Sequence, residues 1–462
     1  MTVNLPNNWV ETTLGDIATV QSGGTPSRSN KLYWDGDIPW VKISDIDNWY
    51  VKETKELITK SGLENSSTKI FPKGTILFTI FATIGKVGVL DIDATTNQAI
   101  AGITPIDLVN HRFITYSLLE LVQELQKQGK GVAQKNINLT ILKALNVPLP
   151  PLPEQKRIVA KLDGLFAHFE EVKTRLDKIP QLLKDFRQQV LTQAVTGKLT
   201  KEWREGKELL EVKIESIINN SYSHVQVPKV WVNTIIEKIG LVKGGKRLPK
   251  GHKLVSENTG RPYIRARDLK EGTVLTTNMM FLLPETQAQI NRYIVNKLDL
   301  YITIVGAKIG DAGIIPETMH GANLTENAAK ITEVDSHVNP NYMALWLRGS
   351  ICQNNIQDTI MSAAQGKLAL TRIKQLPVYI PPSEEQTEIV SRVETLFLTV
   401  DEIEEKYNYL KQKTENLPQA VLQKAFNGEL VEQLTSDGDA RELLREIEAL
   451  KADVKPINRS EK

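Results

Sequence analysis

The stretch GLVKGGKR from Gly240 has the G-x4-G-K spacing of a loop that wraps phosphate in backbone N–H groups. Nucleotide chemistry at such a loop needs a Ser or Thr after the lysine to hold magnesium, and Arg247 stands there instead. The matching passage earlier in the chain, VQSGGTPSR from Val20, has no lysine at all, so both read as turns with polar or basic flanks. Asn339-Pro-Asn-Tyr approaches the Asn-Pro-Pro-Tyr loop of adenine methyltransferases. It lacks the second proline, no strand with a Gly-rich S-adenosylmethionine loop precedes it, and it reads as the start of a helix, NYMALWLRGS. Six histidines show neither His-Glu-x-x-His nor Cys/His spacing for zinc, and a single cysteine offers no nucleophile–base pair. The expectation is a chain that binds no metal and performs no chemistry of its own.

What then positions these loops? A chain of 462 residues is too long for one core and implies two to four domains. Its 41% hydrophobic and 24% charged residues are ordinary for a soluble globular protein. Cys352 has no internal disulfide partner, which fits a reducing, cytoplasmic setting. The start, MTVNLPNNWVETTLGD, has no signal-peptide pattern, and the most apolar run, TILFTIFATIG from Thr75, is too short to span a bilayer. Net charge is only +2, so nucleic-acid binding must come from local basic patches.

The strongest feature is a repeat. PPLPEQKRIVAKLDGLF from Pro150 returns as PPSEEQTEIVSRVETLF from Pro381, with Gln155 matching Gln386, Phe166 matching Phe397 and Gly197 matching Gly428, each pair 231 apart. Upstream, LPNNWVETTLGDI from Leu5 answers VPKVWVNTIIEKI from Val227, Gly23-Gly24 answers Gly244-Gly245, and IPWVKISDI from Ile38 answers RPYIRARDL from Arg261. The chain is two copies of one plan: a variable domain of roughly 150 residues, then a helical block.

In the first block apolar residues fall at Ile158, Leu162, Leu165, Phe169, Val172, Leu176, Ile179, Leu183, Phe186 and Val190, in alternating steps of four and three. The second gives Ile389, Val393, Leu396, Val400, Ile403, Tyr407, Leu410, Thr414, Leu417 and Val421. Two amphipathic helices lying on their own domains would also show such faces, but seams this long usually meet another helix, and the obvious partner is the other copy. Pro180 and Pro418 interrupt the seams, so each block is expected to bend or split there. The variable domains read as mixed α/β, with strands at IPWVKI, TILFTI, KVGVL, RPYIRA, DLYITIV and AGIIP, a helix from His111, and a short helix that stops in left-handed geometry at Gly23-Gly24. Beyond Ser436 a charged helix is expected to lie in solvent or to dock on a partner.

The order W…LGDI…GGTP, IPWVKISDI, GTILFTIFATIGKVGV, NQAI and PLPPLPEQKRIVAKLD, written twice, resembles the specificity subunit of a type I restriction–modification system from the N-terminus to about Val431. The resemblance implies an α+β protein with two mixed α/β target-recognition domains separated by two long coiled-coil helical regions, related by an internal pseudo-twofold. The division would be 1–150 for the first recognition domain, 151–200 for the central spacer, 201–380 for the second domain with its connecting segment, 381–435 for the C-terminal spacer and 436–462 for the tail. Each domain would read one half of a bipartite double-stranded DNA target. The paired helices would act as a ruler and as docking surfaces for two methyltransferase subunits, with restriction–translocase subunits joining. S-adenosylmethionine and ATP with magnesium are implied for those partners and no cofactor for this chain. A related recognition module guiding another phage-defence methyltransferase would share these features. A twofold within one polypeptide lets two similar domains present the same face to a duplex, and a helix from Ile158 to Val190 would be about 48 Å long, more than one ~34 Å duplex turn.

Candidate DNA contacts recur at matching places. Thr25, Ser27, Arg28 and Lys31 follow the first Gly-Gly, and Lys246, Arg247 and Lys250 the second. Lys42 and Ser44 stand opposite Arg265 and Arg267, which lie two apart on a strand-like run and so share a face. Thr83 and Lys86 stand opposite Lys308, and Lys130, Gln134 and Lys135 opposite Gln365, Lys367 and Arg372. Arg and Gln can pair with guanine and adenine edges, whereas Lys more often holds phosphate. Any single one can also serve only to solvate a loop. Trp34, Trp49 and Tyr50 can stack on DNA, although aromatic residues beside strands are more often core.

Overall fold

The computed structural model describes residues 5–47, 49–81, 83–128, 137–217, 226–361 and 367–453. The chain divides into two compact units, Met1–Leu176 with Tyr409–Lys462, and Asp177–Asn408. Each unit therefore contains one variable domain and a piece of both helical blocks.

The two domains share a plan. In the first unit a central sheet runs in spatial order Ala18–Ser22, Ile100–Pro105, Ile76–Thr79, Val87–Leu90 and Tyr50–Val51. In the second the order is Leu241–Gly244, Ala328–Thr332, Leu300–Thr303 and Ala312–Ile314. Ile76, Leu77, Phe78 and Thr79 are all buried, which is why TILFT carries no apolar–polar alternation. A three-stranded sheet accompanies each: Trp34–Val41 between Glu56–Ile58 and Thr95–Thr96, and Pro262–Ile264 between Met280–Phe281 and Asn323–Leu324. The ends of each domain are tied by one antiparallel pair, Val10 opposite Leu149 and Val232 opposite Ile380. A helix packs under each sheet, His111–Gln128 in one and Pro340–Arg348 in the other, both opened by an asparagine: Asn110 Oδ1 accepts from the Arg112 and Phe113 N–H groups, and Asn339 Oδ1 from the Asn341 N–H.

The repeated Glu-Gln doublet joins domain to helical block. Gln155 and Gln386 are fully buried at equivalent places. Gln155 Oε1 accepts from the Asn110 N–H at 2.9 Å while its amide donates to the Pro150 carbonyl at 2.8 Å. Gln386 Oε1 accepts from the Asn339 N–H at 2.6 Å, and its amide donates to the Pro381 and His337 carbonyls, both at 2.9 Å. Each glutamine thus satisfies groups that a helix start would otherwise leave unpaired. The preceding glutamates are buried too. Glu385 accepts from Thr200 Oγ1 at 2.7 Å and Trp231 Nε1 at 2.9 Å and pairs with Arg204. Glu154 accepts from Asn8 Nδ2 at 3.2 Å and Gln433 Nε2 at 2.6 Å.

The first block splits as expected: Leu152–Leu176 ends, Asp177-Lys178 turn, and Ile179–Val195 begins with Pro180 in its first turn, where a missing N–H costs nothing. The second block does not split. One 44-residue helix, Ser383–Phe426, runs through Pro418. Buried Leu422, Ala425 and Phe426 lie beyond the proline, and burying the Leu422 and Phe426 side chains at roughly 1.5–3 kcal/mol each, with a smaller gain from Ala425, outweighs the ~3 kcal/mol defect. In the first unit Ile158, Val159 and Leu162 share a core with Leu422, Ala425 and Phe426, and the Phe426 ring lies 5.2 Å from Phe113. In the second unit Val190, Leu191, Ala194 and Val195 share one with Ile389, Val390 and Val393, and Arg187 reaches Asp401 at 2.5 Å and Glu404 at 3.1 Å. The start of one block meets the end of the other in each unit, an antiparallel arrangement. Val400 and Tyr407 are also buried, whereas Leu165, Phe169, Val172, Leu176 and Leu396 are half-buried and Ile403 is exposed.

Two further expectations are corrected. Gly23 and Gly24 are not a left-handed stop: the helix ends at Ile17, a strand follows, and neither glycine has positive φ. They are small because Thr96, Asn97 and Ser67 lie where a Cβ would go. Left-handed geometry occurs instead at Gly197 and Gly428, which close helices against Pro228 and Pro6. The tail helix, Ala440–Asp453, does not lie free in solvent. Ile447 and Ala440 are fully buried, the Ala440 N–H donates to the Asn8 carbonyl at 3.0 Å, and Lys451 Nζ donates to the Gly15 carbonyl at 2.8 Å. Its apolar face, too sparse to stand out in sequence, closes the first unit's core. Among the described residues no helix is long and apolar enough to cross a membrane.

Candidate nucleic-acid interface

The loop after Gly23-Gly24 is braced by tryptophans. Trp40 Nε1 donates to the Gly24 carbonyl at 3.0 Å and Trp34 Nε1 to the Ser27 carbonyl at 3.1 Å, with the two rings edge to face at 5.0 Å. Trp34 is thus part of the scaffold. Trp49 likewise packs inward, 5.1 Å from the Tyr116 ring, while Tyr50 is exposed and its hydroxyl accepts from Arg112. The Arg28 guanidinium lies over Trp34 at 3.7 Å and reaches Glu56 at 2.6 Å; Lys42 Nζ pairs with the same carboxylate. Burial pushes the Glu56 carboxyl up, but the bonds from Lys42 and Arg28 outweigh it and hold the group below its ordinary value. Thr25 bonds to Gln98 at the loop's base, Ser27 to Ser29 at 2.8 Å, and Lys31 is exposed at the start of a short turn.

Lys42 opens the turn Ile43–Asp45, its N–H donating to Asp45 Oδ2 at 2.9 Å, and Ser44 is exposed on that turn. Lys86 reaches the same corner, with Nζ 3.0 Å from Asp47 and 3.5 Å from the Ile43 carbonyl. Thr83 is exposed, and its carbonyl accepts from Thr79. So Arg28, Lys42, Ser44 and Lys86 converge on one corner of the first domain.

In the second domain the Lys246 N–H donates to the Leu324 carbonyl at 2.8 Å, and Arg247 Nε pairs with Glu326 Oε1 at 2.7 Å. Arg247, Lys246 and Lys250 are exposed. The Thr325 N–H donates to the Ile264 carbonyl at 3.0 Å, which brings Arg265 beside this loop. Arg265 and Arg267 do not share a strand face. The strand ends at Ile264, Arg265 caps the turn Ala266–Asp268, and Arg267 sits exposed within it. The Arg265 guanidinium is held by both Asp268 oxygens at 2.8 Å and by the Asn278 carbonyl at 2.8 Å, and the bonds to Asp268 raise its pKa further against the opposing effect of burial. The capping aspartate, in the same register as Asp45 of the first copy, is what turned the chain. Lys308, Lys367 and Arg372 are exposed, and Lys367 bridges to Val305 in the segment leading to Lys308. Lys130, Gln134, Lys135 and Gln365 lie outside the described residues.

Glu56, Glu326, Gln98 and Trp40 were not among the expected site residues. Glu326 had one signal, the match of ENAA to NQAI from Asn97, which puts an acid beside a Gly-Gly loop. Glu56 sits in the polar run KETKEL and has none. Among the described residues no group of histidine, cysteine or carboxylates is arranged to hold a metal ion.

A family model described as the type I restriction modification DNA specificity domain matches residues 6–181 and 228–412, one match per copy of the repeat. The specificity subunit of the type I restriction enzyme EcoBI of Escherichia coli is 30% identical over 97% of this chain and 94% of its own length. That of EcoKI, from Escherichia coli strain K12, is 26% identical over 97% and 96%. Among solved structures, a chain from work on complex assembly and conformational transition of the type I R-M system covers 92% of this one and all of its own length, with TM-score 0.68 at 17% identity. The HsdS subunit from Thermoanaerobacter tengcongensis gives 0.59 at 18% identity, covering 93% of this chain and 100% of its own. These two share the fold.

Proposed function

The chain belongs to the family of type I restriction modification DNA specificity domains, and from that premise we propose that it is the DNA sequence-recognition subunit of a type I restriction–modification complex. The observation that carries the reading is the duplication. Each unit holds its own specificity domain, and each domain sets a Gly-Gly loop with basic residues beside a capped, basic turn. Two such domains of different sequence read two different short half-sites in double-stranded DNA. Arginine supplies base contacts and lysine phosphate contacts. The chain takes no catalytic part and holds no cofactor; methyl transfer from S-adenosylmethionine and ATP-dependent work with magnesium belong to partner methyltransferase and restriction–translocase subunits.

The helical blocks set the separation of the half-sites and carry two methyltransferase subunits. A helix of 44 residues is about 66 Å long, close to two duplex turns. Half-buried and exposed apolar residues along it, including Leu396, Ile403, Leu410 and Leu417, are surface that a protein partner can cover. The test is methyl transfer to a randomised duplex library by the full chain with its methyltransferase. Methylation confined to one bipartite motif supports the reading; methylation indifferent to this chain's presence overturns it.

A further inference from the structure

Both reading loops carry an arginine held by a carboxylate from elsewhere in the same domain. Arg28 meets Glu56 through Nη2 at 2.6 Å as a charge contact outside hydrogen-bond alignment and is oriented by lying over the Trp34 ring at 3.7 Å, whereas Arg247 donates through Nε to Glu326 at 2.7 Å. The acids are not repeat equivalents: Glu56 lies on the strand Glu56–Ile58, whereas Glu326 lies between the strands Asn323–Leu324 and Ala328–Thr332. The same pairing is built twice from different positions. In both, the acid is anchored and the arginine is reachable, with side-chain exposures of 29% for each glutamate against 54% for Arg28 and 80% for Arg247. Glu326 Oε2 also accepts from Thr325 Oγ1 at 3.2 Å, and Glu56 also takes Lys42. Ion pairs this exposed contribute little to stability.

Their geometry does something else. A guanidinium held by one edge presents its remaining N–H donors in a fixed direction, while the adjacent negative charge repels an approaching phosphate. Neutral acceptors such as guanine O6 and N7 meet no such repulsion. Resting on the recognition role above, we propose that Glu56 and Glu326 are specificity-determining positioning residues, each turning one arginine toward base edges and screening it from the DNA backbone. Without the acid, the arginine becomes an ordinary phosphate contact.

The test uses the full chain carrying Glu56→Gln or Glu326→Gln, each isosteric. Anisotropy across a salt series is read on a random-sequence duplex pool and on a duplex selected by the unaltered chain from a randomised library. Glu326→Gln is expected to tighten random-duplex binding about threefold and to steepen the log–log salt dependence by about 0.9, one added phosphate contact, and Glu56→Gln, which frees Lys42 as well as Arg28, to steepen it by about 0.9–1.8. Reselection should lose preference at one or two base pairs, in one half-site for Glu56→Gln and the other for Glu326→Gln. In an Arg247→Ala background Glu326→Gln should then have no effect. Unchanged or weaker random-duplex binding, equal loss on both duplexes, or an effect that persists without Arg247 would each overturn the proposal. An unaltered chain that selects no sequence would instead overturn the recognition role itself.

Discussion

Glu385 offers the sharpest energetic test of how the repeat holds each unit together. Its carboxylate is fully buried and accepts from Thr200, Trp231 and Arg204, two of which lie just past the end of the first block. Glu385→Ala removes three hydrogen bonds to one buried carboxylate, two from the neutral donors Thr200 and Trp231 and one from the Arg204 guanidinium. It also leaves Arg204, whose side chain is only 17% exposed, without its counter-ion, although its bonds to Thr200 Oγ1 and the Gly197 carbonyl remain, so the loss is about 3–5 kcal/mol, the cost of breaking a buried pair. For a unit spanning Asp177–Asn408 that is a fall in melting temperature of roughly 6–20 °C. Glu154, the equivalent residue, meets only the neutral amides of Asn8 and Gln433, so Glu154→Gln is expected to cost about 1–2 kcal/mol. Cys352 reports on the second unit by itself. It is the chain's single cysteine, fully buried, and burial pushes its thiol up to about 12. Thiol labelling during a denaturant series therefore follows opening of that unit, and Glu385→Ala should shift the labelling midpoint down while Glu154→Gln leaves it in place. A loss below about 1 kcal/mol for Glu385→Ala, or equal costs at the two sites, would mean that the Glu385 carboxylate does not hold the second unit through a buried charge pair.

Glu56 titrates below its unfolded value, so the small stability its part-exposed ion pairs contribute is present above pH ~4.3 and is lost as pH falls through the lower folded pKa. The melting difference between the unaltered chain and Glu56→Gln should persist at pH 7 and vanish in strong acid; a difference that grew on acidification would contradict the assignment. Ile447→Ala should destabilise the first unit by about 2–5 kcal/mol in denaturant unfolding, whereas a solvated tail would show no change. Pro418→Ala should raise stability by up to about 3 kcal/mol, because an N–H can then reach the Thr414 carbonyl one turn back; unchanged stability would mean the helix has already relaxed around the ring.

Much of the architecture was legible because it rests on periodicity. The four–three spacing from Ile158 and Ile389 marks helices whatever surrounds them, and the 231-residue register marks two copies. The misreadings came where a distant partner decides the outcome. Gly23 and Gly24 look like a helix stop, but the strand pair at Thr96 and the loop at Ser67 demand their smallness. Arg265 and Arg267 look like one strand face, but Asp268 caps the chain into a turn between them. Pro418 looks like a break, but the buried turns beyond it hold the helix. The doublet Glu385-Gln386 was visible as a phrase, yet its task was not, since Thr200 and Trp231 stand 185 and 154 positions away. In the interface, basic residues could be placed in loops from sequence. Which of them are held by acids depends on Glu56 and Glu326, and only folding brings those near.

Sequencing of modified bases in DNA shows whether the two units read two different half-sites. Cells would express the full chain with its methyltransferase, and a second strain would carry a chimera whose residues 1–150 come from another family member. That junction lies just past the strand pair joining Val10 to Leu149, so the exchanged domain carries its own closure. One asymmetric motif of two short segments around an unread spacer of fixed length is the expected result. In the chimera one segment changes while the other segment and the spacer stay. A single continuous motif, a palindrome, or a chimera in which both segments change would contradict it.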